Sequence, residues 1–108
     1  MDELCLVYVT ASGGQEARRL ADIAVSEKLA ACANIYDNVS SVYLWKGAVE
    51  RSEESVIVLK SRTSLFEKLS KKIKENHSYD LPCIVSIPLK NADRDYSEWV
   101  LRETSGRC

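Results

Sequence analysis

His77 and Cys83 are the two residues of this chain whose side chains are best suited to bind a transition metal. His77 is the only histidine among the 108 residues, and Cys83 follows it by six positions. Imidazole and thiolate are ligands that copper and zinc accept readily. Two ligands do not complete a stable site, so a metal here would need further ligands from a neighbouring subunit. The alternative is a loop histidine bonded to backbone beside a small buried thiol.

The other three cysteines, Cys5, Cys32 and Cys108, are spread along the chain without a C-x-x-C motif. We interpret Cys5 and Cys32 as small core residues. The N-terminal segment is acidic, and its apolar run is too short for a secretory signal. No apolar stretch approaches the length of a membrane helix. These features predict reduced thiols in a cytoplasmic protein that has no membrane span.

Four aromatic side chains and one lysine are further candidates for contacts with a neighbour or a ligand. Tyr43, Trp45, Tyr79 and Trp99 are expected to anchor a core or a subunit interface. Lys60 ends an apolar run. Its ammonium group either reaches out to solvent along the surface or faces a cleft between subunits, where it would bind a small anion.

The charge balance argues against nucleic acid as a partner. The chain carries 15 Lys and Arg against 16 Asp and Glu, a formal net charge of -1 at pH 7. Proteins that bind a phosphate backbone normally have a basic surplus. An RNA-recognition sheet would also need aromatic residues on its third strand, and residues 56–59 (VIVL) contain none.

Hydrophobic periodicity predicts the order β-α-β-β-α-β followed by a short helix. The predicted strands are Glu3–Thr10, Val39–Trp45, Val49–Ser61 and Cys83–Leu89. The predicted helices run from Ser12 to about Ala31, from Ser64 to about Lys74, and from Asp95 to Glu103. The first two helices each begin with the spacing of a capping box, Ser12 with Gln15 and Ser64 with Glu67.

This order is that of a ferredoxin-like α+β sandwich, in which two helices cover one face of four antiparallel strands. Three of the strands are apolar at both parities, whereas a strand buried on one side alternates. The second face must therefore be covered, and the chain has nothing left to cover it except another copy. The two long strands of the predicted hairpin are suited to pairing with that copy.

Six stretches of the chain form a recognisable series. They are Val9-Thr10, residues 27–34 (EKLAACAN), residues 41–47 (SVYLWKG), residues 54–60 (ESVIVLK), residues 77–82 (HSYDLP) and residues 96–99 (YSEW). In this order they resemble the CutA divalent-cation tolerance family. Together they cover nearly the whole chain. The resemblance implies one CutA-like domain over residues 1–108 and a tight homotrimer similar in architecture to the PII signalling proteins. It also implies a role in tolerance of copper and other divalent metals.

The chain departs from the family pattern at three positions that bear on a metal site. The family usually reads His-Pro-Tyr-x-x-Pro-Glu, and here Ser78 replaces the Pro and Cys83 replaces the Glu. Val9 stands where some members carry a Cys that has been considered a copper ligand. A metal site carried over from those members would lose one type of ligand and change another.

Three functions follow from these observations. The first is a homotrimeric, non-enzymatic binding or signalling protein in the response to divalent metal ions, copper in particular. The alternative is a direct copper or zinc protein that uses His77 and Cys83. The third, an enzyme on this scaffold, is disfavoured because residues 11–15 (ASGGQ) lack the Arg of an acylphosphatase. The same loop also lacks the C-x-x-C of a copper chaperone, which shares this fold.

Overall fold

The structure, a computed structural model, describes residues 2–105. The elements are β1 (Leu4–Ala11), α1 (Gly14–Ser26), β2 (Cys32–Trp45), β3 (Ala48–Arg62), a 3-10 turn (Thr63–Leu65), α2 (Phe66–Asn76), β4 (Ile84–Pro88) and α3 (Arg94–Glu103). The predicted order of elements is confirmed. Cys108 lies outside the described residues.

The four strands form one antiparallel sheet in the order β2-β3-β1-β4. β1, the first strand of the chain, lies inside the sheet between β3 and β4, and β2 and β4 are the edges. Each pair on β1 joins segments that are distant in sequence, whereas β2 and β3 form a hairpin. This is the ferredoxin-like arrangement expected from the sequence.

The core lies between one face of the sheet and the helices α1 and α2. Cys5, Val7 and Val9 of β1 are fully buried on this face, as the core assignment of Cys5 predicted. Leu20 of α1 and Leu69 of α2 pack into the same cluster. The alternate positions of β1 face the other side of the sheet and are mostly only half-buried, because successive side chains of a strand point to opposite faces.

α3 covers one end of that second face, so the expectation that only another copy could cover it is wrong in part. Val100 of α3 packs on Leu4 and Ala31, and the hydroxyl of Tyr96 lies 3.4 Å from Cys32 Sγ. The prediction that Cys32 is a core residue is therefore wrong, because its side chain is only partly buried beneath α3. The rest of the second face, which we call the open face, has no cover within residues 2–105. Its exposed apolar side chains are Tyr36, Val85 and Ile87.

Two predicted boundaries near residue 30 are wrong. α1 ends at Ser26 instead of Ala31, because the backbone turns at Lys28, whose φ is +61°. β2 begins at Cys32, seven residues before the predicted start at Val39. Ala33 and Asn34 lack β-branched character, and Asp37 and Asn38 are residue types depleted in strands. Pairing with β3 nevertheless extends the strand through both pairs, with an irregularity between Tyr36 and Val39.

Both predicted capping boxes are also wrong. Gly13 is the N-cap of α1 and makes no side-chain cap bond; Ser12 bonds instead to Glu16, one residue beyond the predicted partner. The hydroxyl of Ser64 donates to Asp2, and α2 begins after the 3-10 turn, again without a side-chain cap. Ser64 thus bonds to Asp2, which is distant in sequence, instead of pairing with Glu67 in the first turn of α2.

The remaining boundaries differ from the predictions by one or two residues. β3 extends one residue further at each end than Val49–Ser61. β4 omits Cys83 and Leu89 of the predicted strand. α3 begins one residue early, where the side chain of Asp93 caps it by accepting from the N–H of Tyr96. Within residues 2–105 no helix has the length and apolar character needed to cross a membrane.

Candidate functional site

His77 lies just after α2, and its side chain is fully buried against the end of the sheet. Its Nδ1 accepts a hydrogen bond from the backbone N–H of Tyr79 at 3.1 Å. Nε2 therefore carries the ring hydrogen and donates it to the carbonyl oxygen of Thr10 at 2.8 Å. Both ring nitrogens are used within the subunit, so the imidazole ties the loop after α2 to the end of β1.

Glu16, in the first turn of α1, is the buried carboxylate of this region and was missed by the sequence analysis. Its oxygens accept from the N–H and hydroxyl of Ser12, both at 2.9 Å. They also accept from the N–H of Ser78 at 2.7 Å and its hydroxyl at 3.1 Å. Burial alone would raise the pKa of Glu16, but these four bonds outweigh it and lower the pKa to about 2.

Two basic side chains also lie near the carboxylate of Glu16. Arg19 lies 3.6 Å away on the same helix, and His77 Nδ1 lies 3.9 Å from Oε2. A capping-box spacing shifted by one residue, Ser12 to Glu16 instead of Gln15, is the sequence signal that could have identified this carboxylate.

Tyr79 joins the same loop to the hairpin. Its hydroxyl donates to Glu54 Oε2 of β3 at 2.8 Å, and its ring lies 4.8 Å from the ring of His77. Burial raises the pKa of the Tyr79 phenol, and the hydrogen bond and charge of Glu54 raise it further. The phenol therefore stays protonated and acts as a hydrogen-bond donor.

Cys83 is an exposed residue at the end of this loop, yet its thiol is not activated. Partial burial of the thiol raises the pKa of Cys83, and the negative charge of Glu54 raises it further. The thiolate is the form that binds metals and attacks electrophiles. The surroundings of Cys83 in one subunit thus disfavour the reactive form.

A metal site at His77 and Cys83 stays a prediction, and one subunit does not assemble it. Within residues 2–105 no group of three or more His, Cys, Asp and Glu side chains is placed to hold a metal ion. A metal at His77 would have to displace either the carbonyl of Thr10 or the N–H of Tyr79. The residues as they stand form a hydrogen-bonded network instead of a ligand set.

Within residues 2–105 none of the other predicted residues forms a hydrogen bond with this network. Lys60 lies on the second face of the sheet, where its ammonium donates to Asn34 Oδ1 on β2. Trp99 packs beside Val100 on α3. Tyr43 and Trp45 lie half-exposed near the tip of the hairpin. Only His77, Tyr79 and Cys83 of the predicted set belong to one loop.

The hairpin continues well past the body of the subunit. We call residues 39–54 the arm; no side chain in this range is buried. Its exposed apolar side chains are Val42, Leu44, Trp45 and Val49. The tip turns through Lys46 and Gly47, both at positive φ, which allows the tight connection expected from Gly47.

A shallow cleft of about 300 Å³ lies at the root of the arm. It is bordered by the start of α1 at Gly13 and Gly14 and by the carboxylates Asp37, Glu53 and Glu54. Glu54 already accepts a hydrogen bond from the phenol of Tyr79. Asp37 accepts hydrogen bonds from Ser55 and Arg18. The acidic border disfavours an anion at this position.

Residues 5–103 match the family described as CutA1 divalent ion tolerance protein. The chain belongs to this family. The divalent-cation tolerance protein CutA of Thermus thermophilus is 38% identical over 101 residues, which cover 94% of this chain and 97% of the relative. Protein CutA 1, chloroplastic, of Oryza sativa is 40% identical over 99 residues, 92% of this chain. The chain spans about half the length of the plant CutA relatives, 56% and 54%.

Solved CutA1 structures have the same fold. The structure from Oryza sativa superposes with a TM-score of 0.92 at 39% identity, over 94% of each chain. That from Thermus thermophilus superposes with a TM-score of 0.92 at 35% identity, over 94% of this chain and 98% of the other. The resemblance to the CutA family is therefore confirmed by sequence and by structure.

One departure from the CutA pattern has a clear structural role. Ser78 stands where the pattern has Pro, and a proline would have neither an N–H nor a hydroxyl to donate. Both groups of Ser78 bond to Glu16. This chain thus holds its buried carboxylate with two donors that the usual CutA residue lacks.

Proposed function

We propose that this chain is a homotrimeric, non-enzymatic binding or signalling protein in the response to divalent metal ions. Membership of the CutA1 divalent ion tolerance family supports the link to metals. The uncovered apolar surface of the lone subunit supports the assembly and is the observation that carries the proposal. The number three comes from the CutA resemblance.

The open face and the arm both expose large apolar side chains, and large exposed apolar patches mark interaction sites. Tyr36, Val85 and Ile87 are about half-exposed on the open face. The arm adds Leu44, which is 74% exposed. β2 and β4 are edge strands with backbone groups available for pairing. Copies of the same chain would cover these surfaces in a closed, symmetric oligomer.

The network around His77 supports a role other than catalysis. The imidazole uses both nitrogens for backbone contacts, and the phenol of Tyr79 stays protonated beside Glu54. A general base or nucleophile needs a free, activated atom within reach of substrate. These residues instead hold β1, α1 and the loop before β4 in fixed relation.

In the proposed homotrimer, ligands are expected to bind in the clefts between subunits. Lys60 is half-buried on the second face of the sheet, and its contact there is a neutral amide oxygen of Asn34. That contact leaves the positive charge uncompensated, so a small anion in a cleft beside Lys60 would find a partner. Direct binding of copper or zinc at His77 and Cys83 is the alternative, and it would need further ligands from a neighbour beside the edge strand β4.

The assembly is tested by measuring molar mass with light scattering over a range of concentrations. We expect three times the 12.1 kDa subunit mass. Leu44→Asp places a charge on the arm and should dissociate the trimer, whereas Leu81→Asp should not. Leu81 is 75% exposed and lies outside the arm, so the two substitutions are matched in residue type and exposure. A wild-type mass of one subunit would contradict the trimer, and equal dissociation of both variants would contradict a specific role of the arm in its interface.

The link to metals is tested in a host that lacks its own CutA protein. Wild-type protein should raise the copper concentration that halves growth, and Leu44→Asp at equal abundance should not, if the trimer is the active form. Equal growth of wild type and empty vector would refute the metal role. Ligand screens and partner pull-downs of the intact trimer that both came back empty would refute the binding role.

A further inference from the structure

The direction of the arm is set at one irregularity in β2. The register of β2 and β3 shifts between Tyr36 and Val39, so that Asp37 and Asn38 lie opposite the single residue Ser55. Asn38 has a φ of +59°, in the left-handed region. An extra residue of this kind bends the strand and increases its local twist. The body of the sheet and the arm therefore meet at this bulge.

The side chain of Asp37 ties the bulge to the subunit at two points. Oδ1 accepts from the hydroxyl of Ser55 at 2.7 Å, and Ser55 is buried at the base of the arm. Oδ2 accepts from the guanidinium of Arg18 on α1 at 3.1 Å. The bond from Ser55 and then that from Arg18 lower the pKa of Asp37, so the carboxylate is charged at neutral pH.

Gly14 shows how closely α1 approaches this carboxylate. A Cβ at Gly14 would lie 2.9 Å from Asp37 Oδ1 and closer still to the guanidinium of Arg18. A larger residue at this position would therefore push the pair apart. The first turn of α1 therefore lies directly against the side chain of Asp37, although Asp37 itself is exposed to solvent.

The other strand of the arm has its own tether. Glu54, the last residue of the arm on β3, accepts from the hydroxyl of Tyr79 at 2.8 Å. Tyr79 is in turn fixed through its N–H to His77. Each strand thus carries one carboxylate at the root of the arm, one bound to α1 and the other to the loop after α2.

We propose that Asp37 and Glu54 are positioning residues that fix the direction of the arm and thereby allow the subunits to associate. The inference rests on the proposed homotrimer. An exposed ion pair contributes little to the stability of a subunit. Its effect on association is larger because an arm already held in its bound direction loses less freedom when a neighbour docks.

The test compares Asp37→Ala with Asp22→Ala, which removes an exposed aspartate from α1 that does not touch the bulge. Amide hydrogen exchange over residues 39–54 reports on the arm, and the concentration dependence of molar mass reports on association. We expect faster exchange in Asp37→Ala and subunit dissociation at about tenfold higher concentration than in wild type. Asp22→Ala should match wild type in both measurements.

The two measurements distinguish failure of the tether at Asp37 from failure of the homotrimer itself. Unchanged exchange in the arm of Asp37→Ala would overturn the tether, and faster exchange with unchanged association would overturn the link to assembly. A wild-type protein that is monomeric at every concentration would overturn the trimer itself. If Asp37→Ala does not fold, Asp37→Asn and Glu54→Gln replace it; each keeps an oxygen acceptor but removes the charge, and each should weaken association.

Discussion

His77 donates from Nε2 to the carbonyl oxygen of Thr10 at 2.8 Å, across a separation of 67 residues. The same ring accepts the N–H of Tyr79, two residues further on. The imidazole therefore works as a bridge between the end of β1 and the loop before β4. This bridge lies beside the buried carboxylate of Glu16, whose Oε2 is 3.9 Å from Nδ1 of the same ring.

Glu16→Gln should remove much of the acid sensitivity of the fold. The pKa of Glu16 is about 2 in the folded protein, against a usual value of 4.5. A carboxyl group with a lowered folded pKa contributes stability above its unfolded pKa and loses that contribution as the pH falls towards the folded value. Between pH 4.5 and 2 we expect the wild type to lose about 3 kcal/mol of free energy of unfolding per subunit from this group.

Urea denaturation at a series of pH values measures this difference. Glu67→Gln is the matched control, because Glu67 also lies in the first turn of a helix but is exposed. The control should follow the wild-type curve, and Glu16→Gln should be less stable at neutral pH with a flatter profile. Parallel curves for wild type and Glu16→Gln would show that the carboxylate is not what acid disrupts.

Two substitutions of Ser78 should lower the free energy of unfolding by different amounts. Ser78→Ala removes the hydroxyl donor to Glu16 but keeps the N–H, and we expect a loss of about 1 kcal/mol. Ser78→Pro removes both donors and should cost about 1–3 kcal/mol more, partly offset by the restricted unfolded chain. His77 has φ −95° and ψ 146°, which a following proline accepts.

The readouts are the free energy of unfolding at pH 7 and the midpoint of acid unfolding. The acid midpoint should move to higher pH in the order wild type, Ser78→Ala, Ser78→Pro, because fewer donors let the pKa of Glu16 rise. Asp80→Ala, an exposed change two residues away in the same loop, is the control. A proline variant as stable as wild type would mean that the backbone donor of Ser78 is dispensable.

Titration calorimetry of the reduced protein with Cu(I), Cu(II) and Zn(II) decides whether metal binds at His77 and Cys83. We expect no saturable binding there tighter than roughly 10 μM, a free energy of about −7 kcal/mol. The reasons are that both nitrogens of His77 are engaged and that the pKa of Cys83 is raised. Metal tolerance would then be indirect.

Saturable metal binding at His77 and Cys83 would contradict this expectation. One metal per subunit, lost in His77→Ala and in Cys83→Ser with at least a tenfold decrease in affinity, would make this a direct metal-binding protein. Cys32→Ser is the control for loss of a thiol elsewhere, since Cys32 contacts Tyr96 and not this loop. Under that result the network around His77 must open when the metal binds.

The fold could be predicted well because its signals are local. Apolar runs gave the four strands and spaced apolar residues gave the three helices, in the right order. The start of β2 was missed because residues 32–34 (CAN) carry no strand signal of their own and pair only because β3 lies alongside. The end of α1 was missed because nothing in the local pattern announces the left-handed turn at Lys28.

The site could be predicted only in part because its contacts are distant in sequence. His77 and Tyr79 were identified by type, and the structure does bring them together. Their partners Thr10 and Glu54 lie 67 and 25 residues away, and no spacing rule relates such positions. Glu16 was not singled out, since a first-turn glutamate normally needs no partner beyond the helix dipole.

The strand order also sets which strand pairs close short loops and which close long ones. β2 and β3 are neighbours in sequence and in the sheet, so this hairpin can close without waiting for any other segment. β1 is made first, yet its second neighbour β4 lies some eighty residues later, and closing such long loops is entropically slow. Among the three strand pairs, the hairpin is thus the one closed by the shortest loop. It also carries the exposed apolar side chains of the arm, so crowding of nascent subunits before β4 is in place would favour mispaired arms over the completed assembly.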